Sequence, residues 1–219
     1  MTGFFVVFEG GDGVGKTTQI DLLAAHLRAA GRTVTVTREP GGTDLGVELR
    51  QAIMHGGHVA PRAEALLYAA DRAHHIATKV RPALEAGGIV IQDRYLDSSV
   101  VYQGGARGLG DEVERISRWA TEGLLPHLTV VLDMEPRAQR LDRELDRVER
   151  ETTAHHALIR QAFLDRAALD PGRYAVIDAA RSIPEVTADV VAAAASALAL
   201  AGLAPVPSEP QGIEPWGTP

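Results

Sequence analysis

The feature that most narrows the folds open to this chain is an alternation of short strands and longer helices. Five runs read as strands: FFVVF (4–8), TVTVT (33–37), IVIQ (89–92), LTVVL (128–132) and YAVI (174–177). Such runs are apolar or β-branched almost throughout and have little polar face to give to water, so each has to be covered on both sides. Between them lie stretches with helical spacing of apolar residues: TQIDLLAAHLRAA, LGVELRQAIMH, RAEALLYAADRAHHIATKVRPALEA, DEVERISRWATEG and HHALIRQAFLDRAAL, with IPEVTADVVAAAASALALA after the last strand. Alternation of this kind predicts an α/β chain in which a five-stranded parallel sheet carries helices on both faces. The 219 residues fit one domain. It is expected over 1–204, followed by a Pro- and Gly-rich, mobile tail at 205–219.

In open parallel sheets the ligand crevice lies beyond the carboxyl ends of the strands. Attention therefore goes to EGGDGVGKTT, REPGGT, DRYLDSSVVYQG and DMEPRAQRLDRELDRVER, which follow the first four strands. GGDGVGKT, residues 10–17, fits G-x-x-x-x-G-K-[ST] between a predicted strand and a predicted helix, the context that motif requires. Its glycines let the backbone of Gly10, Gly11, Asp12, Gly13, Val14 and Gly15 curl so that N–H groups, with those of Thr17 and Thr18, face phosphate oxygens at the positive end of a helix. The lysine is informative. Of the 22 basic residues only Lys16 and Lys79 are lysine, so Lys16 stands in the loop against the composition. A compact ammonium fits inside the cradle where the broad fork of arginine would not. This predicts a nucleoside triphosphate site. Mg²⁺ would take the Thr17 hydroxyl and, through water, Asp93 at the end of the third strand, with Glu9 at the end of the first as the alternative.

Other classes recede for physical reasons. The chain has no cysteine, which removes disulfides, thiolate metal sites and a thiol nucleophile, and suits a reducing cytoplasm. A net charge of −7 argues against a general nucleic-acid binder. MTGFFVVFEGG lacks the basic start and the length of a signal peptide, and the Ala-rich stretch 190–206 reads as a packed helix rather than a membrane span. A GTPase switch would read guanine through an Asn-Lys-x-Asp motif, and the chain contains no asparagine at all.

A phosphotransferase needs a second anionic substrate, and arginines stand where one would bind: Arg38 in TREPGGT, Arg94 in QDRY and Arg72 in YAADRA. A hydroxyl acceptor would also need a general base. A monophosphate does not, because its second pKa of about 6 leaves it a dianion near neutrality. The difficulty becomes holding two polyanions in line, for which arginines are suited.

FEGGDGVGKTTQ, TREPGGTDLGVELR, LLYAADRAHHI, DRYLDSSVVYQG and LDRVERE, in this order and near this spacing, resemble the bacterial thymidylate kinases from residue 4 to about 187. The resemblance implies a P-loop NTPase fold with a short arginine-rich lid at about 137–151, transfer of the ATP γ-phosphoryl group to dTMP, and a homodimer. It implies that Asp12 holds the acceptor's 3′-hydroxyl, and that Arg38 and Arg94 hold phosphate. Tyr68 would stack on thymine or serve as a core aromatic, and Arg72 would reach a thymine carbonyl. Ser98 or, preferentially, Ser99 would approach the base edge, unless they cap the helix they begin. Tyr102 would pack near the 2′-carbon of the sugar and disfavour ribose. Because Gly13 occupies the loop position where some relatives carry the transition-state arginine, the lid would supply it here, through Arg147, Arg143 or Arg140. The alternative for that cluster is an exposed helix with Arg–Glu pairs. The eight histidines show no metal-ligand set and read as helix-surface or partly buried residues. A kinase for another nucleotide or deoxynucleoside, or a regulatory P-loop ATPase, are the rival readings.

Overall fold

A computed structural model describes residues 3–135 and 155–211. Five parallel strands form one sheet in the order β2-β3-β1-β4-β5: β1 Phe4–Glu9, β2 Val34–Arg38, β3 Ile89–Asp93, β4 Leu128–Asp133 and β5 Tyr174–Asp178. Every strand runs one residue past the predicted end, onto Glu9, Arg38, Asp93, Asp133 or Asp178. The backbone goes on pairing where the apolar pattern has stopped, as in Arg38↔Asp93 and Asp133↔Asp178. Central β1 is buried throughout, and its side chains divide by parity. Phe4, Val6 and Phe8 join one core cluster, while Phe5 and Val7 join another on the opposite face.

The first face is covered by α1 (Lys16–Ala29), through Leu23 and Leu27, and by the last helix. α2 (Asp44–His55), capped by the Thr43 side chain on the Gly46 N–H, leads to α3 (Pro61–His75). α3 continues through a π-type segment, Ile76–Val80, into α4 (Arg81–Glu85) and covers the second face with Ile76, Val80 and Leu84. The wider turn comes just before Pro82, which has no N–H to give to the ladder. After β3 come α5 (Leu96–Ser99), a π-type turn Val100–Ala106, and α6 (Glu112–Ala120). α7 (His156–Leu169) precedes β5 and α8 (Ile183–Leu200) follows it. α8 is long and apolar enough to cross a membrane by length and composition alone. Here it packs Val190, Val191, Ala194 and Leu198 into the core beside α1 and leaves Ala188, Ala192 and Ala199 outside.

Residues 205–211 differ from the expected mobile tail. Val206 is buried in the core, the His26 Nε2 lies 3.0 Å from the Pro207 carbonyl, and the Gln211 N–H donates to Nδ1 at 3.0 Å. One valine with a buried histidine partner is enough to dock a segment that composition marks as loop. Arg140, Arg143, Arg147 and the rest of the expected lid lie outside the described residues.

Candidate active site

The carboxyl ends of β1, β3 and β4 meet at the glycine loop. Gly10 has φ +125°, and a Cβ there would stand 2.5 Å from the Leu132 carbonyl oxygen of β4, so only glycine brings the loop this close to the neighbouring strand. α1 opens at Lys16 behind Gly15 (φ +93°) with no side-chain cap, which leaves its first N–H groups for a ligand. Lys16 is 7% exposed, and its Nζ donates to the carbonyls of Gly10 (3.2 Å) and Gly11 (2.6 Å). Burial, then Arg94, brings this ammonium down to about 8 against the opposing pull of Asp93, Asp12 and Glu9.

Arg94 follows β3 in the left-handed region (φ 66°), a conformation that costs a non-glycine residue about 1–3 kcal/mol and clusters at functional sites. Its N–H donates to Phe8 O at 2.9 Å, and its carbonyl accepts from Gln92 Nε2 at 2.9 Å. The backbone so held swings the guanidinium over the loop, where it donates to Gly10 O (3.2 Å), Ser98 Oγ (3.0 Å) and Asp12 Oδ1 (2.5 Å). The same guanidinium lies 5.4 Å from the centre of the Tyr102 ring, whose hydroxyl donates to Asp12 Oδ2 at 3.2 Å. Burial alone would raise the Asp12 carboxyl, but Arg94 and then Lys16 outweigh it and bring it down to about 2.

Glu9, the alternative metal-side acid, is engaged within the protein. Its Oε1 accepts from the N–H groups of Tyr95 (2.8 Å) and Ser98 (3.1 Å), and its Oε2 from the Ser98 hydroxyl (2.6 Å). Burial, then Asp97, pushes its carboxyl up to about 7. Glu9 thus caps α5, which neither serine does. Ser98, whose proton goes to Glu9 while its oxygen accepts from Arg94, props up the arginine rather than offering a hydroxyl to a base. Asp93 behaves differently. Its Oδ1 is buried without a partner among the described residues, in a cleft it shares with Lys16 and Thr17. One free carboxylate oxygen and one hydroxyl fit Mg²⁺, which binds through few protein groups plus phosphates and water. No cluster of three or more candidate ligands occurs among the described residues.

Three cavities run in series across this end of the sheet. The first, about 580 Å³, lies between Gly13, Gly15, Thr18 and Gln19 of the loop and α1, and the turn Ala179–Pro184 after β5. The second, about 430 Å³, adds Lys16, Thr17, Asp93, Arg94, Arg38 and Arg50. The third, about 60 Å³, is lined by Pro40, Tyr68, Arg72, Ser99, Tyr102 and Gln103, and shares Asp12, Glu39, Met54 and Arg94 with the second. Tyr68 is half-buried against the third core cluster and lines this cavity. Arg72 is 1% exposed and commits four of its five N–H groups: Nε to Glu39 Oε2 (2.7 Å), Nη1 to Ser117 Oγ (3.0 Å), and Nη2 to Tyr95 O (3.1 Å) and Ser99 Oγ (3.0 Å). Sequence reasoning missed Glu39 and Arg50. Arg50 donates to Pro40 O at 3.1 Å from α2, and its only signal was a second arginine in the quoted TREPGGTDLGVELR.

A phosphate-cradling loop at the sheet's switch point, with a large cleft on one side and a small cavity on the other joined under Arg94, defines a P-loop kinase that acts on nucleotides. Comparison with known proteins makes the class specific. The family model described as thymidylate kinase matches residues 8–190. The thymidylate kinase of Clavibacter michiganensis subsp. michiganensis is 54% identical over 209 residues, 92% of this chain and 99% of the relative. That of Pelotomaculum thermopropionicum is 46% identical over 206 residues, 90% and 95% of the two chains. The crystal structure of thymidylate kinase from Ehrlichia chaffeensis superposes with a TM-score of 0.72 at 30% identity, covering 86% of this chain and 97% of that one. The chain belongs to the thymidylate kinase family.

Proposed function

We propose that the chain transfers the γ-phosphoryl group of ATP to dTMP, giving dTDP and ADP. The observation that carries this reading is the junction: donor cleft and acceptor cavity share Asp12, Glu39, Met54 and Arg94, so the tips of two nucleotides meet over Lys16. ATP lies with its base in the cleft beside the Ala179–Pro184 turn and its phosphates on the loop. dTMP lies with its base between Tyr68 and Arg72 and its phosphate towards Arg94, Arg38 and Arg50. Thr17 and Asp93 would hold Mg²⁺, which would supply charge neutralisation on the donor phosphates.

The phosphate dianion of dTMP attacks the γ-phosphorus in line, the bond to the β-bridging oxygen breaks, and ADP leaves. Lys16 stabilises charge on the donor and Arg94 lies between both phosphates. No group has to take a proton, in keeping with the ion pairing of Asp12, which lines both cavities, to Arg94 at 2.5 Å. Tyr102, whose hydroxyl donates to Asp12, packs near the 2′-carbon of the dTMP sugar in this reading and disfavours ribose. Family membership supports a homodimer working in the cytoplasm, and a lid arginine, Arg147 before Arg143 or Arg140, completing the site.

A coupled assay of ADP formation with dTMP, dUMP, dCMP, dGMP and thymidine tests this. dTMP should give one ADP per dTDP and thymidine none. Phosphorylation of thymidine with no use of dTMP would overturn the acceptor assignment, and ATP consumption indifferent to every acceptor would overturn the kinase.

A further inference from the structure

Behind the acceptor cavity lies a residue to which nothing above assigns a task. His75 is fully buried on α3, contrary to the expectation of a surface or partly buried histidine. Its Nδ1 stands 3.0 Å from Glu39 Oε1 and its Nε2 2.7 Å from Thr37 Oγ1. For the neutral ring these partners select one tautomer. Glu39, ion-paired to Arg72 at 2.7 Å, only accepts, so Nδ1 carries the proton and Nε2 accepts from the threonine hydroxyl.

Both partners belong to the segment that builds the acceptor side. Glu39 lines the small cavity and the phosphate cleft, and divides its carboxylate between His75 and Arg72. Thr37 precedes Arg38 in β2; alternation along the strand turns Thr37 inward to the imidazole and leaves Arg38 exposed in the cleft. The loop is wrapped closely around the ring. A Cβ on Gly42 would lie 2.5 Å from His75 Nε2 and 2.7 Å from Thr37 Oγ1. α3 and the turn after it hold the loop at two further points, through the Gly41 N–H on Asp71 Oδ1 (3.4 Å) and Lys79 Nζ on Gly42 O (2.7 Å).

We propose that His75 is a positioning residue for the acceptor site: by bridging Glu39 and Thr37 it holds the carboxylate that orients Arg72 and the strand end that carries Arg38. This rests on the reading of the small cavity as the dTMP site. An apolar residue at 75 leaves Glu39 Oε1 and the Thr37 hydroxyl without partners. The carboxylate is then free to turn, and Arg72 turns with it. Glutamine can replace the ring, since its amide offers one N–H to Glu39 and one oxygen to Thr37.

The test is steady-state kinetics with both substrates on wild type, His75→Leu, His75→Gln and Thr37→Val. Loss of two buried hydrogen bonds predicts that His75→Leu raises the KM for dTMP about tenfold or more, with the KM for ATP changed by less than about twofold. His75→Gln should return to within about threefold of wild type, and Thr37→Val should raise the dTMP KM by about three- to tenfold. A merely structural histidine would lower the active fraction, and hence kcat, without separating the two KM values. The proposal is overturned if His75→Leu moves both KM values alike or neither, or if glutamine rescues no better than leucine. Should the leucine variant fail to fold by thermal melting, the other two decide: a Thr37→Val enzyme with unchanged dTMP KM, or a glutamine variant with both KM values raised, refutes it. Wild type that turns over ATP without phosphorylating dTMP would refute the acceptor reading itself and this proposal with it.

Discussion

Replacing Arg94 by lysine separates charge from geometry at the centre of the site. The guanidinium makes three donor contacts, to Gly10 O, Ser98 Oγ and Asp12 Oδ1, from a backbone fixed in the left-handed region. A lysine side chain keeps the charge but brings its donors to one point, and the Asp12 contact is the one it would retain for electrostatic reasons. Two contacts from a charged donor are then lost, at about 1.5–3 kcal/mol each. The fixed fork also loses its reach to a second phosphate. If most of that loss is felt only when both phosphates are engaged, Arg94→Lys lowers kcat by about 10²–10⁴, since about 1.4 kcal/mol is tenfold in rate. ATP affinity should change by less than about tenfold, because Lys16 and the loop N–H groups remain. Single-turnover quench flow with saturating dTMP, alongside ATP binding by calorimetry, measures the two separately. A variant within tenfold of wild-type kcat would refute the claim that the fork of Arg94, rather than its charge, organises the transfer.

Other outcomes follow from the same geometry. Lys16→Met should reduce kcat at least about 10³-fold with the fold retained by circular dichroism, because the buried ammonium acts where charge develops; near-normal turnover would contradict the loop's assignment. Arg72→Ala should destabilise the protein by about 3–5 kcal/mol in urea titration, since it strips the buried Glu39 of its partner, and should raise the KM for dTMP far more than that for ATP. Burial and then Glu39 raise the Asp71 carboxyl to about 6 from an ordinary 3.8, and its Oδ2 is buried without a partner among the described residues. The raised value means the folded protein holds that proton more tightly than the unfolded chain. Its stabilising contribution is therefore complete below about pH 4 and lost as pH rises through 6. Asp71→Asn should accordingly stabilise the protein at pH 8, by up to about 3 kcal/mol, and do little at pH 4. Equal effects at both pH values would contradict the burial of a strained acid.

What the sequence made legible is what repeats along it or is fixed by local geometry. Alternating apolar strands and amphipathic helices dictate a doubly covered parallel sheet, and the glycine loop between β1 and α1 dictates where phosphate binds. Arg94 and Arg38 could be located because they stand at strand ends, where such sheets bind ligands. The partners of these groups were not legible. Glu9 stands at a strand end, but α5 turns its N–H groups onto it, a contact across 86 and 89 residues. Glu39 and His75 are ordinary surface residue types in sequence; their burial follows from α3 crossing behind the loop after β2, which no local pattern encodes. Ser98 and Ser99 are adjacent and alike, yet one supports Arg94 and the other Arg72, because successive residues of α5 face different walls. The contacts of 205–211 are not written in its composition for a similar reason: His26, which meets Pro207, lies near the other end of the chain.

The claim at the centre is spatial, that donor and acceptor meet tip to tip over Lys16 beneath Arg94. A crystal structure with a bisubstrate analogue, adenosine and thymidine joined 5′ to 5′ through five phosphates, examines it most directly. The account predicts adenine beside the Ala179–Pro184 turn, thymine between Tyr68 and Arg72, and a bridging phosphate within hydrogen-bond reach of both Lys16 Nζ and the Arg94 guanidinium. Thymidine seated outside the small cavity, or a phosphate chain that passes Arg94 without contact, would contradict it.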